Sequence, residues 1–139
     1  MTIKECIDIV DNMKPNQYEV EDKVRWLSFL DRIVIIDVLQ THENYDEKYN
    51  LFEGYSNDNL SAKLIVDAPF DQMYIEFLKM KIDEANGETA RYNNSATMFN
   101  SYMSMFRKWY NKKNVPLQLD KIYESTVVTP LDTGTSQTK

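Results

Sequence analysis

Apolar positions recur along this chain at the three-and-four spacing of helices, and the pattern breaks at Pro15, Pro69, Pro116 and the Asn86-Gly87 pair. Four helical segments follow. The first opens at Thr2, whose hydroxyl suits the free amides of a first turn while Glu5 reaches back in a capping box, and it places Ile3, Cys6, Ile7, Val10 and Met13 on one side. Pro15 stops it, because the proline ring disfavours helix at Lys14. The second runs from about Glu19 to Thr41, with Glu19, Glu21 and Asp22 at the positive end of the helix dipole. Val20, Val24, Leu27, Leu30, Val34 and Val38 form one stripe on it and Trp26, Phe29, Ile33 and Ile36 a second. Its C-terminal half therefore reads as apolar nearly all round, and the helix as central. The β-branched run Ile33-Val34-Ile35-Ile36 also suits a buried strand, since periodicity does not separate the two over four residues; helix is kept.

From Glu43 to Val66 the period dissolves into a long loop rich in acids (Glu43, Asp46, Glu47, Glu53, Asp58), with Tyr45, Tyr49, Leu51, Phe52 and Tyr55 available to tack it onto the bundle. A short hairpin or helical turn fits inside it. The third helix is expected to open near Pro69 with Asp67 as its cap, to turn Phe70, Met73, Tyr74, Phe77, Leu78, Ile82 and Ala85 inward, and to show water a polar stripe of Gln72, Glu76, Lys79 and Asp83. Asn86-Gly87 tolerates positive φ, so the third and fourth helices form a tight hairpin or one kinked helix. The fourth, from about Glu88 to Lys113, has the clearest period: Tyr92, Ala96, Phe99, Met103, Phe106 and Tyr110. A second line, Met98, Tyr102, Met105 and Trp109, follows a neighbouring face, and Asn93, Thr97, Asn100, Ser104 and Arg107 meet water. The sum is an all-α fold, a small bundle of about four helices over residues 1–116. A tail over 117–139, rich in Ser and Thr, is expected to be disordered or ordered by a partner.

Composition narrows the function classes. Sixteen basic against twenty-two acidic residues give a net charge of −6, which removes the basic excess behind general nucleic-acid coating. A single cysteine, Cys6, and a start that is acidic and periodic point to a cytosolic, reduced protein. The most apolar stretch, Ile33 to Leu39, contains Asp37 and falls far short of the roughly 20 residues of a membrane span, so no membrane partner is expected.

Chemistry has few ingredients here. His42 is the one histidine, Cys6 lies in an apolar stripe, and there is no glycine-rich phosphate loop or cysteine array. His42, Glu43, Asp46 and Glu47 have acceptable metal-ligand types without a recognised spacing. Glu76 and Asp83 stand two turns apart with Lys79 between them, which reads as a neutralised, solvated face rather than an acid and base pair. No enzyme activity and no cofactor are expected. Two features carry ambiguity. The cluster Arg107, Lys108, Lys112 and Lys113 suits the negative end of the last helix, and equally an acidic partner or passing DNA. The line Met98, Tyr102, Met105 and Trp109 suits either core or a contact surface, because these residue types are enriched at interfaces.

Ala68-Pro69-Phe70-Asp71, Tyr74, Leu78, Ile82-Asp83, Asn86-Gly87-Glu88, Tyr92-Asn93-Asn94-Ser95, Phe99-Asn100 and Phe106, with Trp26-Leu27 upstream and Tyr110-Asn111 leading to Pro116, form a longer pattern. This pattern, over about residues 1–116, resembles the small neck proteins of phages and prophages of Firmicutes, which are related in character to the head-tail connectors, or adaptors, of long-tailed phages. The resemblance implies a ring of about twelve copies docked below the portal, extending the DNA channel and presenting a platform for the stopper or tail completion protein. It implies residence in the virion neck, and in the host cytoplasm during assembly. The alternative from another class is a small helical regulatory or DNA-contacting protein using the basic cluster.

Overall fold

The computed structural model describes residues 1–118. Among these, four α-helices form the frame: α1 (Ile3–Met13), α2 (Val20–Asp37), α3 (Gln72–Asn86) and α4 (Thr89–Lys113). Short 3-10 turns occupy Leu39–Thr41 and Glu47–Leu51. The all-α bundle is as expected, and Ile33 to Ile36 lie inside α2 as helix.

The start of α1 follows from its capping box: the Glu5 amide donates to Thr2 Oγ1 at 3.1 Å and the Thr2 amide to Glu5 Oε1 at 2.8 Å. Two further first-turn amides, Ile3 and Lys4, donate to the carbonyls of Ala62 and Leu60, so the far end of the long loop satisfies donors that no helix can satisfy internally. At the start of α2 the Glu19 amide donates to Asp22 Oδ2. The regular helix ends at Asp37, four residues before the expected stop at Thr41. Val38 O is the cause, since it accepts from Thr41 Oγ1 at 2.7 Å and lies 2.6 Å from His42 Nδ1, and these side-chain bonds draw the chain into a tighter turn.

The helix that packs against all the others is α3, and α2 is a flank rather than the centre of the bundle. Its buried face carries Met73, Tyr74, Phe77, Leu78 and Ile82, while Ala85, expected inside, is exposed. This helix begins at Gln72, later than the expected opening at Pro69. Ala68-Pro69 is a cis peptide in a run of three-residue turns, Phe70 to Asp67 O, Met73 to Phe70 O and Tyr74 to Asp71 O, which lead into the first α turn. Asp67 is exposed and caps nothing by its side chain; Asp71 holds the first position and its carboxylate faces the Met1 ammonium at 3.7 Å. Gly87, at φ 73, closes α3 in the left-handed conformation, with the Gly87 and Glu88 amides donating to the carbonyls of Glu84 and Asp83. The tight hairpin follows, and α4 returns along α3 with Met103 and Phe106 buried and Phe99 against Phe77.

Beyond α4 the backbone runs back to the end of α2: Glu43 N donates to Val115 O and Leu117 N to Thr41 O, at 2.9 and 2.8 Å. The expected tail lies outside the described residues from position 119 onward.

Candidate functional site

Two polar centres organise the interior, and reading the sequence missed both. Asp31, fully buried on α2, accepts from the Tyr74 hydroxyl at 2.5 Å, from the Ile65 amide at 3.1 Å and from the Tyr55 hydroxyl. Burial raises its pKa, and the three donors oppose the rise. Tyr74, also fully buried, takes the Val66 amide in turn, and desolvation with the adjacent carboxylate pushes its phenol well above the ordinary range. The acidic loop is thereby held to α2 and α3 through Tyr55, Ile65 and Val66. The available signal was position: Asp31 sits four residues after Leu27 and three before Val34, an acid inside an apolar stripe.

The second centre is Asp83, expected on a solvated stripe and in fact wholly inaccessible. Lys14 of the α1 end lies 2.8 Å from Oδ1, off the line of a hydrogen bond, so the attraction is that of an ion pair; Ser95 Oγ stands 3.5 Å from Oδ2. Lys79 instead pairs with Glu76 at 3.4 Å, both half-buried, so the expected polar stripe divides between core and flank. Asp83 thus joins α1, α3 and α4 in place of acting with Glu76.

His42 is buried, with Nδ1 against Val38 O and Nε2 2.8 Å from Asn111 Oδ1, and its ring sits edge-on to Tyr110. Both ring nitrogens are engaged in joining α2 to α4, and Glu43, Asp46 and Glu47 are exposed. Among the described residues no three His, Cys, Asp or Glu side chains are grouped to hold a metal. Cys6 is buried, and desolvation pushes its thiol up to about 12, so it is inert packing. No helix among the described residues is long and apolar enough to cross a membrane.

Accessible chemistry therefore lies on the surface. The second line of α4 faces out: Met98 is 41% exposed, Met105 49% and Trp109 42%, with Tyr102 half-buried between them. Trp109 leans on Phe70, ring centres 5.3 Å apart, which steadies it without covering it. A second apolar row, expected inside, is also on the surface, with Phe29 58% and Ile36 50% exposed on α2 beside half-buried Trp26 and Ile33. The cause is the packing arrangement: α1 and α3 cover one side of α2, and α4 packs on α3. In the loop Leu51, expected to tack it down, is exposed instead.

The basic cluster splits. Arg107 reaches Asp37 of α2 at 3.5 Å, both about half exposed, a surface pair worth roughly 0–1 kcal/mol. Lys108, Lys112 and Lys113 are exposed with no ion-pair partner among the described residues. Over its 25 residues α4 carries Arg91, Arg107, Lys108, Lys112 and Lys113 and no carboxylate, in a chain of net charge −6. In comparisons with known proteins, no family model, no curated protein and no solved structure matches this chain.

Proposed function

We propose that this is a structural assembly protein, a head-tail connector or adaptor that forms a ring under the phage portal, extends the DNA channel and docks the stopper or tail. One observation carries the reading: α4 keeps Met98, Met105 and Trp109 in water along a 25-residue helix. Exposed Met and Trp in one row mark a contact surface. Both conspicuous interior acids are consumed in holding helices together, which fits a scaffold. The acidic remainder of the chain suits a channel wall that must not retain DNA phosphates.

The test is capture of the purified protein on portal rings from the phage or prophage that encodes it, followed by electron microscopy of the complex. A closed ring coaxial with the portal is expected. Absence of capture at micromolar concentrations, with portal known to accept its tail, would refute the reading.

The exposed lysines Lys108, Lys112 and Lys113 favour a second reading, contact with duplex DNA. It predicts a gel shift at low salt that disappears as salt rises, and the connector reading predicts little binding by the free acidic protein.

A further inference from the structure

Only one asparagine of this chain is followed by glycine, Asn86 at the turn between α3 and α4. The pair is a latent reaction site. The backbone nitrogen after an asparagine can attack the side-chain amide carbon, and glycine has no Cβ to hinder the approach. Here the Gly87 nitrogen bonds to Asn86 Cγ, and the side-chain nitrogen leaves as ammonia with the proton that Gly87 gives up. Water then opens the cyclic imide at either carbonyl, leaving aspartate or its isomer, in which the backbone runs through Cγ. Nothing is oxidised or reduced. The one co-reactant is water, which reaches both residues because both are exposed.

The fold withholds both reacting groups. The Gly87 amide is spent on the carbonyls of Asp83 and Glu84, the latter at 3.1 Å. The Asn86 side chain is tied to another part of the chain, since its Oδ1 accepts from the Tyr18 hydroxyl at 2.6 Å. Tyr18 is itself held, with its amide donating to Asn16 Oδ1 at 3.1 Å and its ring edge-on to Trp26 at 5.9 Å. Asn86 must leave Tyr18 before it can swing onto the next amide. The hydroxyl also draws electrons from the amide carbon, but the nitrogen that would attack is engaged elsewhere.

The product does not suit its surroundings. A new carboxylate stands at the negative end of α3, between Glu84 and Glu88, and the last turn of that helix has no basic residue to meet it. Lys81 is already paired with Glu84 at 2.9 Å and Arg91 with Glu88 at 3.6 Å. The isomer also lengthens the backbone just before Gly87, whose φ of 73° closes the helix.

We infer that Asn86 is a site of spontaneous deamidation, kept closed by the Tyr18 hydroxyl and the Gly87 cap, and that release of Tyr18 opens it to an irreversible change of charge at the α3–α4 turn. This goes beyond the connector reading and does not depend on it.

The test incubates the full chain in warm, mildly alkaline buffer, with and without enough urea to unfold it. Peptide mass spectrometry follows the exchange of the amide nitrogen for oxygen. In urea the peptide carrying Asn86 is expected to change first, and at least about tenfold faster than in the folded protein. Gly87→Ala should slow the reaction in urea, where the fold plays no part, because the attacking nitrogen is then hindered. Tyr18→Phe keeps the ring and loses the hydroxyl, so in the folded protein the rate at Asn86 should rise about two- to tenfold, the factor that one hydrogen bond of ordinary net strength sets. Hydrogen exchange of amides in the middle of α3, measured on the same samples, should stay as in wild type. Equal rates at Asn86 in the folded and unfolded chain overturn the proposal. So does a Tyr18→Phe rate no higher than that of wild type, or a rise matched by faster exchange throughout α3, which would come from unfolding of the whole domain.

Discussion

Replacing Tyr74 by phenylalanine removes one oxygen atom and should cost more stability than any other single-atom change in this protein. That hydroxyl donates to Asp31 Oδ1 at 2.5 Å and accepts from the Val66 amide at 2.8 Å, and all three residues are almost wholly buried. A hydrogen bond to a charged group is worth about 1.5–3 kcal/mol, and an amide left buried without a partner costs about 1–3 kcal/mol. The gap left by one oxygen is too small to admit a water in its place. The two losses together come to about 2.5–6 kcal/mol. With a urea slope of about 2 kcal/mol/M for a domain of this size, the midpoint should fall by about 2 M. Tyr55→Phe is the control: it removes a single bond to the same carboxylate from a half-buried ring that water can reach, so about 1–2 kcal/mol is expected. Urea titrations followed by tryptophan fluorescence measure both. A Tyr74→Phe midpoint within 0.5 M of wild type, a value set by roughly 1 kcal/mol on the same slope, would refute the assignment of this hydroxyl as the keystone of the interior.

Because burial raises the pKa of Asp31, the native state holds its proton more tightly than the unfolded chain does, and this group's contribution to stability grows as pH falls from neutral towards the ordinary aspartate range. The stability of wild type relative to Asp31→Asn should therefore rise as pH falls from neutral towards the ordinary aspartate range, and a relative fall over that range would contradict the cause given for the shift. Lys14→Ala leaves Asp83 as an uncompensated buried charge and should cost about 3–5 kcal/mol in the same titration, with Lys14→Met plus Asp83→Leu recovering most of it. Gly87→Ala meets no neighbouring atom but imposes φ 73 on a residue with a Cβ, so a loss of about 1–2 kcal/mol is expected; an unchanged midpoint would mean the hairpin turn had relaxed. Cys6 should resist iodoacetamide at pH 8 until urea unfolds the chain, and labelling of the folded protein would argue against its burial.

What the sequence made legible was local. The Thr2 and Glu5 capping box, the stop at Gly87 and the packed line from Tyr92 to Tyr110 each depend on residues a few positions apart, and each is present in the fold. What escaped depends on which helix ends up beside which. Periodicity marks Phe29 and Ile36 as apolar but does not say that α4 will pack on α3 and leave that side of α2 uncovered. Asp83 fits a polar stripe by spacing, yet the end of α1 arrives with Lys14 and encloses it. The row from Met98 to Trp109 was recognisable as surplus to one hairpin partner, and only the assembled bundle places it in water.

The paired backbone that links Thr41 and Glu43 to Val115 and Leu117, reinforced by His42 against Asn111, also has a mechanical meaning. Tension applied to the chain at Gln118 does not peel α4 away from its end. It meets the bond from Leu117 to Thr41 first and the bond from Glu43 to Val115 next, so both must open before the last turn of α4 carries the load. A linkage of that kind passes a pull on the segment after α4 to the end of α2 before α4 itself unravels.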